Sequence, residues 1–222
     1  MLFRSDFTQR AIVTPRDYQW VTSPQSGVQR MMLDRLGEEV ARATSIVRYA
    51  AGSHFPQHRH PGGEEILVLA GTFSEGPNHY PAGWYMRNPP GSVHEPSSDF
   101  GATLFVKLYQ MPRGEEDIVR IDTRNPANWV RTRGRHVCAL FANDSERVML
   151  ERLPADQDLD LSTEGGAEVL VVEGSLTAES MSYEQGSWLR LPPGDDLRPR
   201  SGRLGVTAYV KTGHLKTPWV CA

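Results

Sequence analysis

Three histidines and a glutamate in the first half of the sequence have the residue types and spacing of a metal site. His58 and His60 are two residues apart, and alternate residues of an extended strand point to the same face, so both imidazoles aim at one region. A Pro-Gly-Gly turn at 61–63 lets Glu64 begin the next strand. His94 follows a second turn, on a strand that can lie beside the first. Imidazole nitrogens with a carboxylate oxygen suit iron, zinc, nickel, manganese or copper.

The choice between two adjacent carboxylates follows from strand alternation. Glu64 shares a face with Ile66 and Val68, whereas Glu65 and Leu67 point to the other face. Glu64 begins the strand directly after the turn and is therefore the candidate that returns to the region of the histidines. We therefore predict that Glu64 is the ligand and that Glu65 points outward in a structural role. The predicted ligand set is His58, His60, Glu64 and His94, with one divalent transition metal per chain.

These segments resemble both halves of the cupin signature. The first half, G-x5-H-x-H-x3-E-x6-G, begins at Gly52 and ends at Gly71, and the second half, G-x5-P-x-G-x2-H, begins at Gly83 and ends at His94. Ser98 occupies the place of a customary asparagine. The run His-Pro-Gly-Gly-Glu-Glu is similar to the ChrR-like cupins. That group includes the metal-binding domain of the anti-sigma factor ChrR and dioxygenases that cleave rings or diketones.

The sequence also repeats itself at an offset of 103 residues. Gly62 to Gly71 aligns without a gap on Gly165 to Gly174. The same offset places the turn Pro89-Pro90-Gly91 on Pro192-Pro193-Gly194. A shared offset across two separate motifs indicates an internal duplication. Because the elements are short strands between turn signals, we predict an all-β chain of two tandem cupin barrels, each a double-stranded β-helix or jelly roll.

The second copy keeps the turns and loses the ligands. Each of the four predicted ligand positions carries a residue that is not a usual metal ligand: Leu161, Thr163, Ala167 and Leu197. Turn residues are needed to fold a barrel, whereas ligands are needed only for a metal. We therefore predict a metal-binding domain with an N-terminal arm at 1–114 and a degenerate domain without ligands at 115–222.

Composition narrows the classes of partner. The chain has 222 residues and a formal net charge of -3, so it lacks the basic footprint of a nucleic-acid-binding protein. It contains no apolar run long enough to span a membrane and no signal-peptide pattern. Cys138 and Cys221 make no disulfide framework. We expect a cytoplasmic protein without nucleic-acid or membrane partners, which forms a homodimer because cupin barrels expose sheet edges.

The function is narrowed to two classes that share one mononuclear site in the first barrel. One is a metal-binding protein that senses a small molecule or oxidative stress, as the resemblance to ChrR implies. The other is an oxygenase, and the specific alternative is an Fe(II)-dependent dioxygenase that cleaves a diketone or hydroxyaryl ketone. Residues 1–50 contain neither His nor Cys. The His/Cys zinc domain of an anti-sigma factor is therefore missing there, and the sequence supports neither direct anti-sigma activity nor a sigma-factor partner.

Overall fold

The computed structural model describes residues 2–38 and 40–216, and its regular elements are strands and two short 3-10 turns, Pro15–Asp17 and Pro126–Asn128. The strands of the first half are β1 (Leu2–Phe3), β2 (Ala11–Val13), β3 (Trp20–Thr22), β4 (Val28–Gly37), β5 (Ala41–Tyr49), β6 (Ser53–His54), β7 (His58–His60), β8 (Glu64–Glu75), β9 (Asn78–Pro81), β10 (Trp84–Asn88), β11 (Ser92–His94), β12 (Pro96–Ser98), β13 (Ala102–Leu108) and β14 (Val119–Asp122). Those of the second half are β15 (Val130–Thr132), β16 (Arg135–Ala142), β17 (Arg147–Leu153), β18 (Ala167–Ala178), β19 (Met181–Glu184), β20 (Trp188–Leu191) and β21 (Arg200–Thr212).

These strands form two compact units, and the all-β tandem cupin architecture predicted from the repeat is confirmed. The first unit comprises residues 2–5 and 19–124, and the second comprises residues 6–18 and 125–216. This grouping differs from the predicted division after residue 114. Residues 6–18 join the second unit because β2 pairs with β20, and residues 115–124 stay with the first because β14 pairs with β10. In the described part of the chain, no helix has the length and apolarity to cross a membrane.

The first unit is built around the twelve-residue strand β8. Its first half pairs with β13 and β10 in an antiparallel sheet of order β1-β4-β5-β13-β8-β10-β14, and its second half pairs with β9 and β12. Ile66 and Val68 of β8 enter the interior cluster together with Leu104 and Val106 of β13. Burial of this apolar face, worth roughly 25 cal/mol per Å², fixes the register that leaves Glu64 on the interior side.

The side chain of Glu65, which the sequence predicts to point outward in a structural role, forms a buried ion pair. Glu65 Oε2 accepts a hydrogen bond from Arg87 Nη1 at 3.2 Å, and Arg87 Nε donates to Glu115 Oε1 at 3.2 Å. Arg87 and Glu65 are only 0% and 3% exposed. Removing one partner of such a pair leaves an uncompensated charge, at a cost of roughly 3–5 kcal/mol. Glu65 therefore contributes to the stability of the sheet.

The second unit repeats the long strand of the first and the strand that follows it. Strands β18 and β19 begin and end 103 residues after β8 and β9. The turn glycines adopt matching left-handed conformations, with φ of 70° at Gly71 and 76° at Gly174. Both glycines are required, because a Cβ at either position would meet a backbone oxygen, at 2.0 Å and 2.3 Å respectively. The duplication read from sequence is thus a duplication of backbone geometry.

Apolar side chains occupy the interior of the second unit where the first carries its histidines. Ala167 and Leu197 are 0% and 2% exposed and belong to its core cluster, and Leu161 packs against that cluster. Thr163 uses its hydroxyl to donate to the carbonyl of Asp195 at 2.8 Å. Cys138 in this unit is a buried free thiol, and Cys221 lies outside the described residues.

Two glycines with almost the same φ allow the cost of a steric clash to be measured separately from the cost of backbone strain. Gly71 and Gly52 have φ of 70° and 71°, but an added Cβ at Gly52 has no atom within 4 Å. Gly52→Ala is expected to lower the free energy of unfolding by about 1 kcal/mol, the cost of a left-handed L-residue. Gly71→Ala adds the clash with Gly101 and should cost on the order of 3 kcal/mol or more. Urea denaturation measures both, and equal losses would contradict the close approach.

Candidate metal centre

Three histidines converge because two short strands pair in one register. Strands β7 and β11 form an antiparallel ladder in which His58 lies opposite His94 and His60 lies opposite Ser92. The backbone N–H of Gly91 donates to the carbonyl of His60 at 2.8 Å and closes the turn before β11. Cross-strand neighbours and alternate residues share a face. The three imidazoles therefore point to the same place, as the sequence predicted.

The distances among the three rings suit a shared ion. The ring centroids of His58, His60 and His94 are 4.7–4.8 Å apart, and one nitrogen from each lies within 4.8 Å of the others. Nε2 of His60 is 2.8 Å from Nε2 of His94. Two nitrogens about 2.1 Å from one ion are about 3.0 Å apart at right angles and about 3.4 Å apart in a tetrahedron. The observed spacing is close to these values, so both nitrogens could contact one ion.

Hydrogen bonds on the far side of two rings set their tautomers. Nδ1 of His58 lies 2.9 Å from the carbonyl oxygen of Pro56, and Nδ1 of His94 lies 2.6 Å from Oε1 of Glu75. A carbonyl or carboxylate oxygen can only accept, so each Nδ1 carries the proton. Nε2 of each ring is then left with a lone pair, which is the usual arrangement of metal-binding histidines.

Glu64 lies beside the histidines but outside the tightest group. Its Oε2 is 3.6 Å from Nε2 of both His60 and His94, and it accepts a hydrogen bond from Nδ2 of Asn88 at 3.3 Å. The side chain is 9% exposed. Its carboxylate can therefore reach the same ion with a small movement, and the ligand role of Glu64 stays a prediction.

Glu75 is the important residue that the sequence reasoning missed. Besides His94 Nδ1, its carboxylate accepts hydrogen bonds from Arg120 Nη2 at 3.1 Å and from Asn88 Nδ2 at 3.4 Å. Such a partner orients a ligand ring and raises its basicity. The repeat contained a usable signal. The offset of 103 places Glu75 on Ala178 and Asn88 on Leu191, so both are lost in the second copy together with the ligands.

Burial and the neighbouring carboxylates shift the pKa values of the His60 and His94 rings in opposite directions. Burial lowers the pKa of His60, and the charge of Glu64 offsets this only in part. Burial also acts against protonation of His94, but the hydrogen bond to Glu75 and the charge of Glu64 outweigh it and raise the pKa of His94. Burial acts to raise the pKa of Glu75, whereas the His94 hydrogen bond and Arg120 lower it overall, so Glu75 remains an ionised acceptor. A cation binding here must displace any proton on His94 Nε2.

The imidazoles face a cavity of about 430 Å³ within the first unit. Its walls come mainly from β4, β5 and β13, and they are largely apolar. Lining residues include Val47, Tyr49, Phe55, Phe73, Leu104 and Val106. This volume lies in the range of small-molecule sites. A metal held by the histidines would therefore be reachable by a bound organic molecule.

Three of the four remaining histidines contact other residues. His54 is exposed and pairs with Glu95 at 2.8 Å, and Nδ1 of His79 lies 2.9 Å from the hydroxyl of Ser74. His214 contacts Glu168 in the second unit at 3.2 Å. Among residues 2–38 and 40–216, potential metal ligands cluster at His58, His60 and His94, and Glu64 borders this group.

Comparison with known proteins agrees with this picture. Residues 8–112 match the family model described as the ChrR cupin-like domain. No curated protein matches the chain. The metal-binding cupin predicted from the signature is thus supported by the family match and by the histidine cluster.

Solved structures share the fold at low identity. A candidate dioxygenase from Nostoc punctiforme is 12% identical, with a TM-score of 0.76 over 95% of this chain and 85% of that chain. The nickel-bound pirin YhhW from Escherichia coli is 12% identical, with a TM-score of 0.68 over 91% and 98%. Salicylate 1,2-dioxygenase from Pseudoaminobacter salicylatoxidans, solved with gentisate, is 11% identical, with a TM-score of 0.56 over 77% and 68%. At these identities the likeness establishes the fold.

Replacing two of the converging histidines should abolish metal binding. The double change His58→Ala and His60→Ala removes two of three nitrogen donors, so metal content measured by plasma mass spectrometry should fall from about one ion per chain to background. The control is His54→Ala with His79→Ala, which removes as many imidazoles outside the site. Full metal retention by the first variant would refute the assignment.

Removing the charge of Glu75 should weaken metal binding without removing a predicted ligand. In Glu75→Gln the amide supports the His94 ring less well, and metal affinity should fall by roughly 10–100-fold. Competition with a fluorescent chelator gives the dissociation constant. Glu95→Gln, which changes a glutamate that pairs with exposed His54, is the matched control. An unchanged affinity in Glu75→Gln would show that the carboxylate has no such role.

Proposed function

We propose that this chain, whose first barrel belongs to the ChrR cupin-like family, is a metal-dependent dioxygenase for a small substrate that offers two oxygen donors. One observation carries the proposal. The three imidazoles of His58, His60 and His94 border a largely apolar cavity of about 430 Å³. A purely structural zinc site is closed by four protein ligands, whereas these histidines lie open to a space that an organic molecule can fill.

The donor set fits iron, nickel or manganese as well as zinc. Three nitrogen donors and a nearby carboxylate are within the preferences of all four ions. The His60 and His94 nitrogens, 2.8 Å apart, are close enough to be held by one ion of any of these kinds. When bound, Fe(II) would supply Lewis-acid and one-electron chemistry towards dioxygen and a chelating enolate.

The protein's own residues would bind the substrate, exclude water and accept a proton. Phe73, Leu104 and Val106 give the cavity an apolar wall beside the histidines, which keeps the reaction away from bulk water. Glu64 is the carboxylate that borders both the histidines and the cavity. In the proposed reaction, Glu64 accepts the proton that a diketone releases when it forms its enolate.

The comparisons support the fold of such an enzyme and leave its substrate open. Two of the structural neighbours are a candidate dioxygenase and a dioxygenase solved with gentisate, a dihydroxybenzoate. Their identities of 12% and 11% carry no substrate across. The diketone or hydroxyaryl ketone is what the resemblance to the ring- and diketone-cleaving cupins implies, and the largely apolar cavity is compatible with it.

Oxygen consumption tests the proposal directly. Protein loaded with Fe(II) without oxygen is mixed with benzoylacetone or a dihydroxyacetophenone in aerated buffer, and an oxygen electrode records uptake. We expect one dioxygen per substrate with no added reductant. Benzoylacetone should give one carboxylic acid and one 2-oxoaldehyde, which together contain all four oxygen atoms of the reactants. Zinc-loaded protein should consume no oxygen.

A cavity variant distinguishes the enzyme from adventitious iron chemistry. Ser45→Phe fills the cavity from β5 without changing a predicted ligand, so uptake should be lost while iron content is retained. Gln29→Phe places the same ring on the exposed face of β4, away from the cavity, and should keep native uptake. Equal activity in the two variants, or no uptake by the iron-loaded native protein, would contradict the dioxygenase.

The position of Glu64 favours one second candidate, a metal-dependent sensor. With its Oε2 3.6 Å from both His60 and His94 nitrogens, a small movement would complete a four-ligand zinc site that is closed to substrate. In that case zinc should resist chelators in the native protein and become readily removable in Glu64→Gln. The sensor would then signal through a change at this site, with a partner protein as its target.

A further inference from the structure

Two arginines of β4 lie on the wall of the cavity. Arg30 and Arg35 both line it, although five residues of a regular strand would place them on opposite faces. A β-bulge between Met32 and Asp34 resolves this, because Met32 pairs with Ser45 and Asp34 with Thr44, so β4 has one extra residue there. The bulge turns Arg35 to the same side as Arg30 and Met32.

These guanidinium groups differ in their partners, because the charge of Glu38 acts on Arg35. In the described part of the chain, Arg30 makes no hydrogen bond or ion pair. Arg35 donates to the backbone carbonyl of Glu38, an exposed residue at the cavity rim. Burial lowers the pKa of Arg35, the charge of Arg30 lowers it further, and Glu38 acts in the opposite direction. Two guanidinium charges thus share this wall with one nearby carboxylate, Glu38, so an anion placed between the arginines would be stabilised.

Tyr49 adds a hydrogen-bond donor to the lining of the same cavity. Tyr49 of β5 lines the cavity and contacts the Phe73 ring edge-on at a centroid distance of 5.9 Å, and its hydroxyl has no hydrogen-bond partner among the described residues. Burial, with the charge of Glu64, raises the pKa of Tyr49 well above its usual value. The phenol is therefore neutral and available to donate to a ligand oxygen.

The spacing of strands sets the length of the ligand. In the register of the sheet, Arg35 pairs with Ala43, and Leu108 pairs with both Ala43 and Glu64. Three strand spacings of about 4.8 Å therefore separate the Arg35 and Glu64 positions along the sheet. Both residues line the cavity, so a ligand that reaches from one to the other is shorter than this backbone separation.

We propose that the cavity accepts a small organic anion whose carboxylate binds Arg30 and Arg35 while its opposite end presents oxygen donors to the histidine group. The proposal rests on the proposed function for the role of the metal end. It adds that the substrate is an anion, because a neutral ketone of the same shape would place no negative charge beside the two arginines. The hydroxyl of Tyr49 donates to the body of the ligand between the two ends.

Two probes that differ only in a carboxylate measure how much that group contributes to binding affinity. Benzoylacetone and para-carboxybenzoylacetone share the same diketone and ring and differ in one charged group. Their affinities for the metal-loaded protein are measured by titration calorimetry without oxygen. The carboxylated probe is expected to bind about 10–100-fold more tightly, the gain of a charge-assisted contact. Arg30→Gln with Arg35→Gln should remove that preference while metal content stays at the native level.

Arg48→Gln provides the matched control. Arg48 lies on β5, is exposed, stacks over the Trp20 ring at 3.8 Å and does not line the cavity. The Arg48→Gln variant should keep the native preference for the carboxylated probe. A loss of that preference in the Arg30 and Arg35 variant then reflects lost contact with the carboxylate and not a change in net charge. Equal affinity of the two probes for the native protein, no binding of either, or an equal loss in Arg48→Gln would overturn the proposal.

The metal-free variant separates this inference from the proposed function. In His58→Ala with His60→Ala, both probes should bind more weakly, but the preference for the carboxylate should remain because Arg30 and Arg35 are intact. If the preference remains while both affinities equal those of the metal-loaded native protein, the proposed metal function fails and the anion site stands. If the preference is absent from native and metal-free protein alike, the anion site fails by itself.

Discussion

The ladder between β7 and β11 determines whether the first barrel has a metal centre at all. It is only three residue pairs long, yet it places His58 opposite His94 and turns His60 to the same side. Because side chains alternate, a slip of one residue would point the imidazoles away from each other. The hydrogen bond from Gly91 to the carbonyl of His60 and the turn at 61–63 oppose that slip. The rest of the unit supplies a rigid frame for this short ladder.

Duplication explains how one backbone serves two different interiors. Both units keep the glycine turns, with almost the same left-handed conformation at Gly71 and Gly174. In the second unit, Ala167 and Leu197 complete an apolar core. In the first, histidines and a cavity replace part of that core, and the hydrogen bond from Glu75 satisfies the buried His94 ring. Buried polar groups are tolerable when their partners are present, so the network around Glu75 is a condition for an open site.

The sequence was sufficient for the fold and for the convergence of the histidines, because each depends on local rules. Turn residues, strand alternation and the offset of 103 are all visible in the order of residues. The cavity arginines were not foreseen, because the bulge that turns Arg35 inward depends on the pairing of β4 with β5. Glu75 was missed for a different reason. It lies eleven residues after Glu64 along one long strand, and its contact with His94 becomes visible only when that strand is folded. Its loss to Ala178 in the second copy was the available clue.

The measurement that tests the central claim most directly is the metal stoichiometry and coordination of protein purified without oxygen and without added metal. Elemental analysis should give about one transition-metal ion per chain. X-ray absorption at the edge of that metal should show imidazole scattering from three histidines and no sulfur ligand. Two ions per chain, a sulfur ligand, or no bound metal after supplementation with iron, zinc, nickel and manganese would contradict a single histidine-based centre in the first barrel.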